Sequence, residues 1–251
     1  MKHPLRMALF ACGAIGLAAI FALAISHMPP PHVSPYGQAV NELSLPQRHV
    51  TDAVTNVNFD VRGFDTLGEE FILFVSVMGA IVLLREEAEK KHARRIDAVD
   101  PRRVVEAPAS VRVWTLALVG PTVLLGIYVV IHGQLTPGGG FQGGVILATA
   151  PLLLYLTENY DAFKNVTSSR LIEAVEAIGA AGYAVVGTLG WIAGKQFLEN
   201  VVPLGPGNPP NVLSGGTIAL IDLAVGLEVA AGFTLLLGAF LQHAMSADNG
   251  K

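Results

Sequence analysis

The chain has 251 residues, of which 52% are hydrophobic and 14% charged, whereas roughly a quarter of an ordinary soluble domain is charged. The charges are bunched between long uncharged apolar runs, which excludes a single water-soluble globule and predicts an all-α, polytopic membrane protein of about six transmembrane helices. A net charge of -4 points to no particular partner and gives no reason to expect nucleic acid, and one cysteine, Cys12, excludes an internal disulfide framework or cysteine-rich metal site.

The first apolar run, residues 7–25, follows Lys2 and Arg6 and reads either as a signal peptide or as a first membrane helix. Ala22-Leu23-Ala24 has the look of a cleavage site, but the run is long enough to span a bilayer, so a retained helix is predicted. The second, residues 66–84, carries Glu69 and Glu70 in its first turn and ends at Arg85-Glu86-Glu87. The third covers residues 111–131, and the fourth, 139–156, opens on a glycine cluster. The last two are 172–192 and 217–241. Each is about 18 to 25 residues long, the length that crosses a hydrocarbon core of about 30 Å.

Orientation follows from the lysines and arginines, which are retained on the cytoplasmic side. With the N-terminus inside, all of the 16 lie in cytoplasmic segments except Arg48, Arg62 and Lys195. This predicts a multi-pass protein of the cell membrane with both termini cytoplasmic. The external segment from His27 to about Asp65 is proline-rich at its start (Pro29, Pro30, Pro31, Pro35), which predicts extended chain there rather than a folded domain. The basic stretch after the second run divides the chain into a two-span module, residues 1–95, a linker, 96–110, and a four-span domain, 111–251.

Two kinds of local feature are candidates for function. The first is His132-Gly133-Gln134-Leu135-Thr136-Pro137-Gly138-Gly139-Gly140-Phe141-Gln142-Gly143-Gly144. Gly138, Gly140 and Gly143 satisfy the dinucleotide pattern G-x-G-x-x-G, but that pattern needs a soluble βαβ unit, and here a membrane helix precedes it. The better reading is helix packing: Gly139 with Gly143, and Gly140 with Gly144, are small residues four apart that let a second helix approach closely, and Pro137 suits the first turn of the fourth span. The second feature is acid at membrane depth, where a carboxylate costs at least about 2.5 kcal/mol. Asp222 and Glu228 lie within the sixth run, about 120° apart around the helix, so they are not expected to form one paired site. Glu69 and Glu70 serve either as solvated groups at a helix N-terminus or, with Asp222 and Glu228, as part of an ion pathway. His132 and His243 lie at span edges as interfacial residues. No ligand spacing for a metal is found, no cofactor is implied, and no catalytic residue stands out, so an enzyme is not expected.

The glycine-rich segment closely resembles the signature of the MnhB (MrpB) component of the Mrp (Mnh) multisubunit sodium/proton antiporters, and Ile221-Asp222-Leu223-Ala224-Val225-Gly226-Leu227-Glu228-Val229 is similar to a later stretch of that component. Asn58-Phe59-Asp60-Val61-Arg62-Gly63-Phe64-Asp65-Thr66-Leu67-Gly68-Glu69-Glu70 looks like the segment that introduces the final helices of the large MnhA (MrpA) component, a segment that is a separate small protein in membrane-bound hydrogenases. The resemblance implies a non-catalytic membrane subunit of a hetero-oligomeric complex that exchanges sodium ions for protons, supporting assembly and bordering the ion route. The alternative is a membrane subunit of a related energy-converting hydrogenase or respiratory complex. The departure from the family pattern is the fusion of the N-terminal module to the MnhB-like domain.

Overall fold

The computed structural model describes residues 3–28, 34–93, 108–158, 160–201 and 211–248. Apart from one π-helical turn, its regular structure is α-helical: α1 (His3–Ser26), α2 (Pro35–Arg48), α3 (Ala53–Asn56), the π turn Val57–Val61, α4 (Gly63–Ala93), α5 (Ala109–Ile131), α6 (Gly140–Glu158), α7 (Tyr160–Val166), α8 (Ser169–Ile192) and α9 (Thr217–Asp248). Five helices contain segments long and apolar enough to cross a membrane: Gly63–Leu84, Ala109–Ile131, Gly140–Thr157, Arg170–Ile192 and Thr217–His243. α1 adds a shorter apolar stretch, Phe10–Ser26. The chain is therefore an all-helical, multi-pass membrane protein with roughly six spans.

Two compact units divide at Gln38 and Ala39. In the first, α1 closes with a local hydrogen bond from Ser26 Oγ to the Leu23 carbonyl (2.8 Å). In the second, α9 is the central helix: 56% of its span is buried, against 11–33% for the other four. It packs against α4, α5, α6 and α8. Close approach is possible because glycines stand at the crossings. A Cβ on Gly144 would lie 2.8 Å from Val229 Cβ, and one on Gly179 would lie 2.7 Å from the Ala224 carbonyl oxygen.

The part of α2 within this unit, α3, the π turn, the loop after α5 and the loop before α9 form a polar layer over one end of the bundle, here called the capped end. Arg48 of α2 donates from Nε to Asp60 Oδ2 (2.8 Å), and Asp60 Oδ1 accepts the Asn200 amide (2.7 Å). Thr51 and Asp52 amides both donate to the Gln134 carbonyl (3.2 Å each), and Thr55 Oγ1 donates to the Gly133 carbonyl (2.7 Å). Asn200 Oδ1 accepts from both the amide and the hydroxyl of Thr217, fixing the start of α9 (2.9 and 2.8 Å). Beneath this layer lies an apolar cluster that includes Val50, Phe59, Leu67, Ile218 and Val225 around Tyr183.

Beyond its proline-rich start, the segment expected to be external is largely helical. Pro35 opens α2 rather than breaking it, because a first-turn proline lacks only an amide that would have no helical partner. Pro29, Pro30 and Pro31 lie outside the described residues, as does most of the 96–110 linker.

Candidate functional site

The glycine loop runs from His132 to Gly139, and α6 begins at Gly140. Pro137 therefore lies in the bend before α6 and not in its first turn, because the chain must still reverse before Gly139. Gly139 makes that reversal at φ +131°, a backbone conformation that side chains rarely adopt. A Cβ on Gly139 would meet Gln142 and Asp222, whereas one on Gly143 would meet Val130 and Gly126, so the two glycines do not serve one helix crossing. Gly140 and Gly144 face α9, where a Cβ on Gly140 would lie 2.7 Å from Val225 Cβ and 2.8 Å from the Gly226 amide nitrogen. Gly143 faces α5 instead, where its Cβ would lie 2.7 Å from the Gly126 carbonyl oxygen.

This packing brings Asp222 of α9 to the beginning of α6. Its Oδ1 accepts the Gly140 amide at 2.6 Å, so a carboxylate from one helix caps the N-terminus of another. A Cβ on Gly133 would run into Asp222 Oδ2, so the loop glycines leave room for this carboxyl. Asp222 is 2% exposed. Replacing it by alanine removes the cap and its favourable interaction with the helix dipole, and is expected to cost about 1–2 kcal/mol. Thermal unfolding in detergent would measure this, and an unchanged midpoint would refute the capping role.

Three further acids are buried in the bundle: Glu70 of α4 (5% exposed), Glu176 of α8 (1%) and Glu228 of α9 (1%). Both carboxyl oxygens of Glu176 and Glu228, one of Glu70 and the second of Asp222 are buried without a hydrogen-bond partner. Glu228 is within electrostatic reach of Glu70 and Glu176, while Tyr183 is within reach of Glu70 and Asp222. The Tyr183 hydroxyl donates to the Gly63 carbonyl at 2.9 Å, holding the ring between α4 and α9. At ~1.5 Å per residue, Asp222 lies about 8 Å, Glu70 about 10 Å and Glu228 about 16 Å into its helix from the capped end, with Glu176 about 10 Å from the start of α8 at the opposite end. The acids are thus graded in depth. An apolar cavity of about 280 Å³ among α5, α6, α8 and α9 is lined by none of them.

Of the acids singled out from sequence, Glu70, Asp222 and Glu228 are buried, whereas Glu69 is exposed on α4. Asp222 and Glu228 occupy different surroundings, as their angular separation requires. Glu176 is a buried acid that sequence reasoning missed. A signal existed in the spacing of Glu176, Ala180, Tyr183, Gly187 and Gly190, which places the acid at the head of one helix face, and all five are buried.

A bundle of apolar spans with acids in its interior, sealed at one end by a capped loop, defines a multi-pass membrane protein with buried ionisable groups. The sequence profile of domains related to the MnhB subunit of Na+/H+ antiporter matches residues 110–235, and the chain belongs to that family. The matched region holds the glycine loop, Glu176, Asp222 and Glu228, while Glu70 precedes it. An uncharacterised protein of Methanocaldococcus jannaschii is 31% identical over 234 residues, 87% of this chain and 85% of that protein. A chain of the membrane-bound sulfane sulfur reductase, an archaeal respiratory membrane complex, superposes with a TM-score of 0.68 at 27% identity, covering 94% of this chain and 98% of that one. A chain of the Mrp complex from a Dietzia species gives a TM-score of 0.68 at 24% identity, and there the match covers 95% of this chain but 26% of the other. The likeness to the Dietzia chain is one of fold.

Proposed function

We propose that this protein is a non-catalytic membrane subunit of a multisubunit complex that exchanges sodium ions for protons across the cell membrane. It supports assembly through the glycine-lined helix crossings and contributes acids to the ion route. Glu70, Glu228 and Glu176 line that route, while Asp222 and Glu69 border its capped-end side. The observation that carries this reading is Glu228: it is 1% exposed, neither of its oxygens has a hydrogen-bond partner, and it is within electrostatic reach of Glu70 and Glu176. An acid so placed is costly to bury, and ionisable residues retained inside membrane spans commonly mark ion pathways or proton relays. The positive-inside rule supports an external capped end, which carries Arg48, Arg62 and Lys195, and a cytoplasmic opposite end, which carries Arg112, Lys164 and Arg170.

In vesicles containing the whole complex, Glu228→Gln is expected to lower sodium/proton exchange at least tenfold, about 1.4 kcal/mol in the barrier, while every component of the complex still co-purifies. Full exchange by this variant would remove Glu228 from the route. A second reading, a membrane subunit of a respiratory complex, is favoured by the near end-to-end match to a chain of the sulfane sulfur reductase. Co-purification separates the two. Large antiporter proteins alone support the first, and redox-cofactor-bearing proteins support the second.

A further inference from the structure

The apolar cavity of about 280 Å³ among α5, α6, α8 and α9 has no part in the site described above. Small residues leave it open: Ala150 and Pro151 of α6 and Ala230 and Ala231 of α9 put no long side chain into the space between the helices. Among the described residues, its lining is apolar except for Thr167 and Thr234. Both hydroxyls donate to nearby carbonyls of their own segment, Thr167 Oγ1 to Phe163 (2.6 Å) and Thr234 Oγ1 to Ala230 (2.7 Å). Water needs two or more polar partners to stay in such a space. An apolar occupant suits these walls better.

The cavity also has a depth and a mouth. Its α6 wall runs from Leu154 to Leu147, about 5 to 15 Å inside the end of that span at Thr157, at ~1.5 Å per residue. That is the depth of one leaflet in a hydrocarbon core about 30 Å thick. The mouth lies at the turn between α7 and α8, where Val166 lines the cavity and is yet 60% exposed. Lys164 and Arg170 bracket that turn, each two residues from a lining residue, Val166 or Ile172. Both cations are exposed, whereas Glu173 on α8 is half-buried. A leaflet-deep apolar cavity with two cations at its rim fits a molecule made of an apolar chain and an anionic head. Lysine and arginine bind phosphate by charge-assisted hydrogen bonds, and basic pockets between membrane helices take lipid headgroups.

We propose that this cavity binds one apolar chain of a membrane phospholipid, with Lys164 and Arg170 holding its phosphate. The chain fills the gap between four spans at the end of the bundle opposite the capped layer, and the two cations fix the head at the membrane surface. None of the buried acids lines the site, so its occupancy is independent of the ion route.

The test is electron cryo-microscopy of the whole complex in nanodiscs of phosphatidylglycerol brominated at mid-chain. Strong bromine density is expected between Ala150, Pro151 and Ala230, with the phosphate of the same lipid beside Lys164 and Arg170. Ala230→Leu occupies the space and is expected to remove that density, while bromine density of the surrounding lipid stays. Lys164→Gln/Arg170→Gln changes only exposed side chains, so it leaves the fold intact. In native mass spectrometry of the complex titrated with the same lipid, it is expected to weaken retention of one phospholipid at least tenfold. A cavity that is empty, or filled by a neighbouring subunit, would overturn the site, as would bromine density unchanged in Ala230→Leu. Retention unchanged in the double variant would overturn the phosphate contact.

Discussion

Gly140→Leu is expected to prevent recovery of an assembled complex. The position has no space for even one carbon. A Cβ there would run into the Asp222 carbonyl and stand 2.7 Å from Val225 Cβ and 2.8 Å from the Gly226 amide nitrogen. Two of those three atoms are backbone of the central helix, which cannot rotate aside as a long side chain can. The same amide donates to Asp222 at 2.6 Å, so pushing α6 away from α9 also breaks the cap. Overpacking alone costs about 3 kcal/mol, and the lost buried hydrogen bond adds about 1–3 kcal/mol. Gly68→Ala is the matched control, since a Cβ on Gly68 meets nothing within 4 Å. The yield of monodisperse complex after detergent extraction is the measurement. Normal yield for Gly140→Leu would sink the packing role of this glycine.

The spans were legible because lipid imposes a length and polarity on any crossing helix, and the expected segments agree with the observed helices to within a few residues over most of their ends. The family was legible for a different reason: the glycine loop has a sequence that its geometry demands, with Gly139 at positive φ and Gly140 against backbone. The polar layer was not legible. Thr51, Asp52 and Thr55 reach Gln134 and Gly133, some eighty residues away, and Asp60 reaches Asn200, pairings that no local pattern announces. Prolines at the start of that segment suggest extended chain, although one of them is a good opening residue for α2.

The acids show how much depends on face rather than on residue type. Glu69 and Glu70 are adjacent, about 100° apart on a helix, and only Glu70 falls on the buried stripe of Gly63, Leu67, Val77 and Ile81. Counting that stripe in the sequence would have separated the two. Glu176 stands near the polar start of its span, yet it shares a buried face with Tyr183. Asp222 has a structural task, capping α6, that its position in an apolar run could not reveal, since the partner amide lies on another helix.

Serial and parallel roles for the buried acids lead to opposite results in a double variant. If protons pass through Glu176 and Glu228 in turn, blocking either one interrupts the same path. Glu176→Gln is then expected to lower exchange at least tenfold, about 1.4 kcal/mol, and Glu176→Gln/Glu228→Gln is expected to lose no more than the weaker single variant. Independent contributions would add in free energy, giving a hundredfold loss or more, about 2.7 kcal/mol. Glutamine is nearly isosteric with glutamate, so it fills the same space, and it cannot ionise, so the cost of burying a charge never arises in the variant. The variants are therefore expected to match or exceed the wild type in thermal stability while losing transport. Stability and exchange moving in opposite directions is what distinguishes an acid kept for ion movement from one kept for packing. A double variant whose losses add, or single variants that lose stability and activity together, would place these carboxyls outside a shared route.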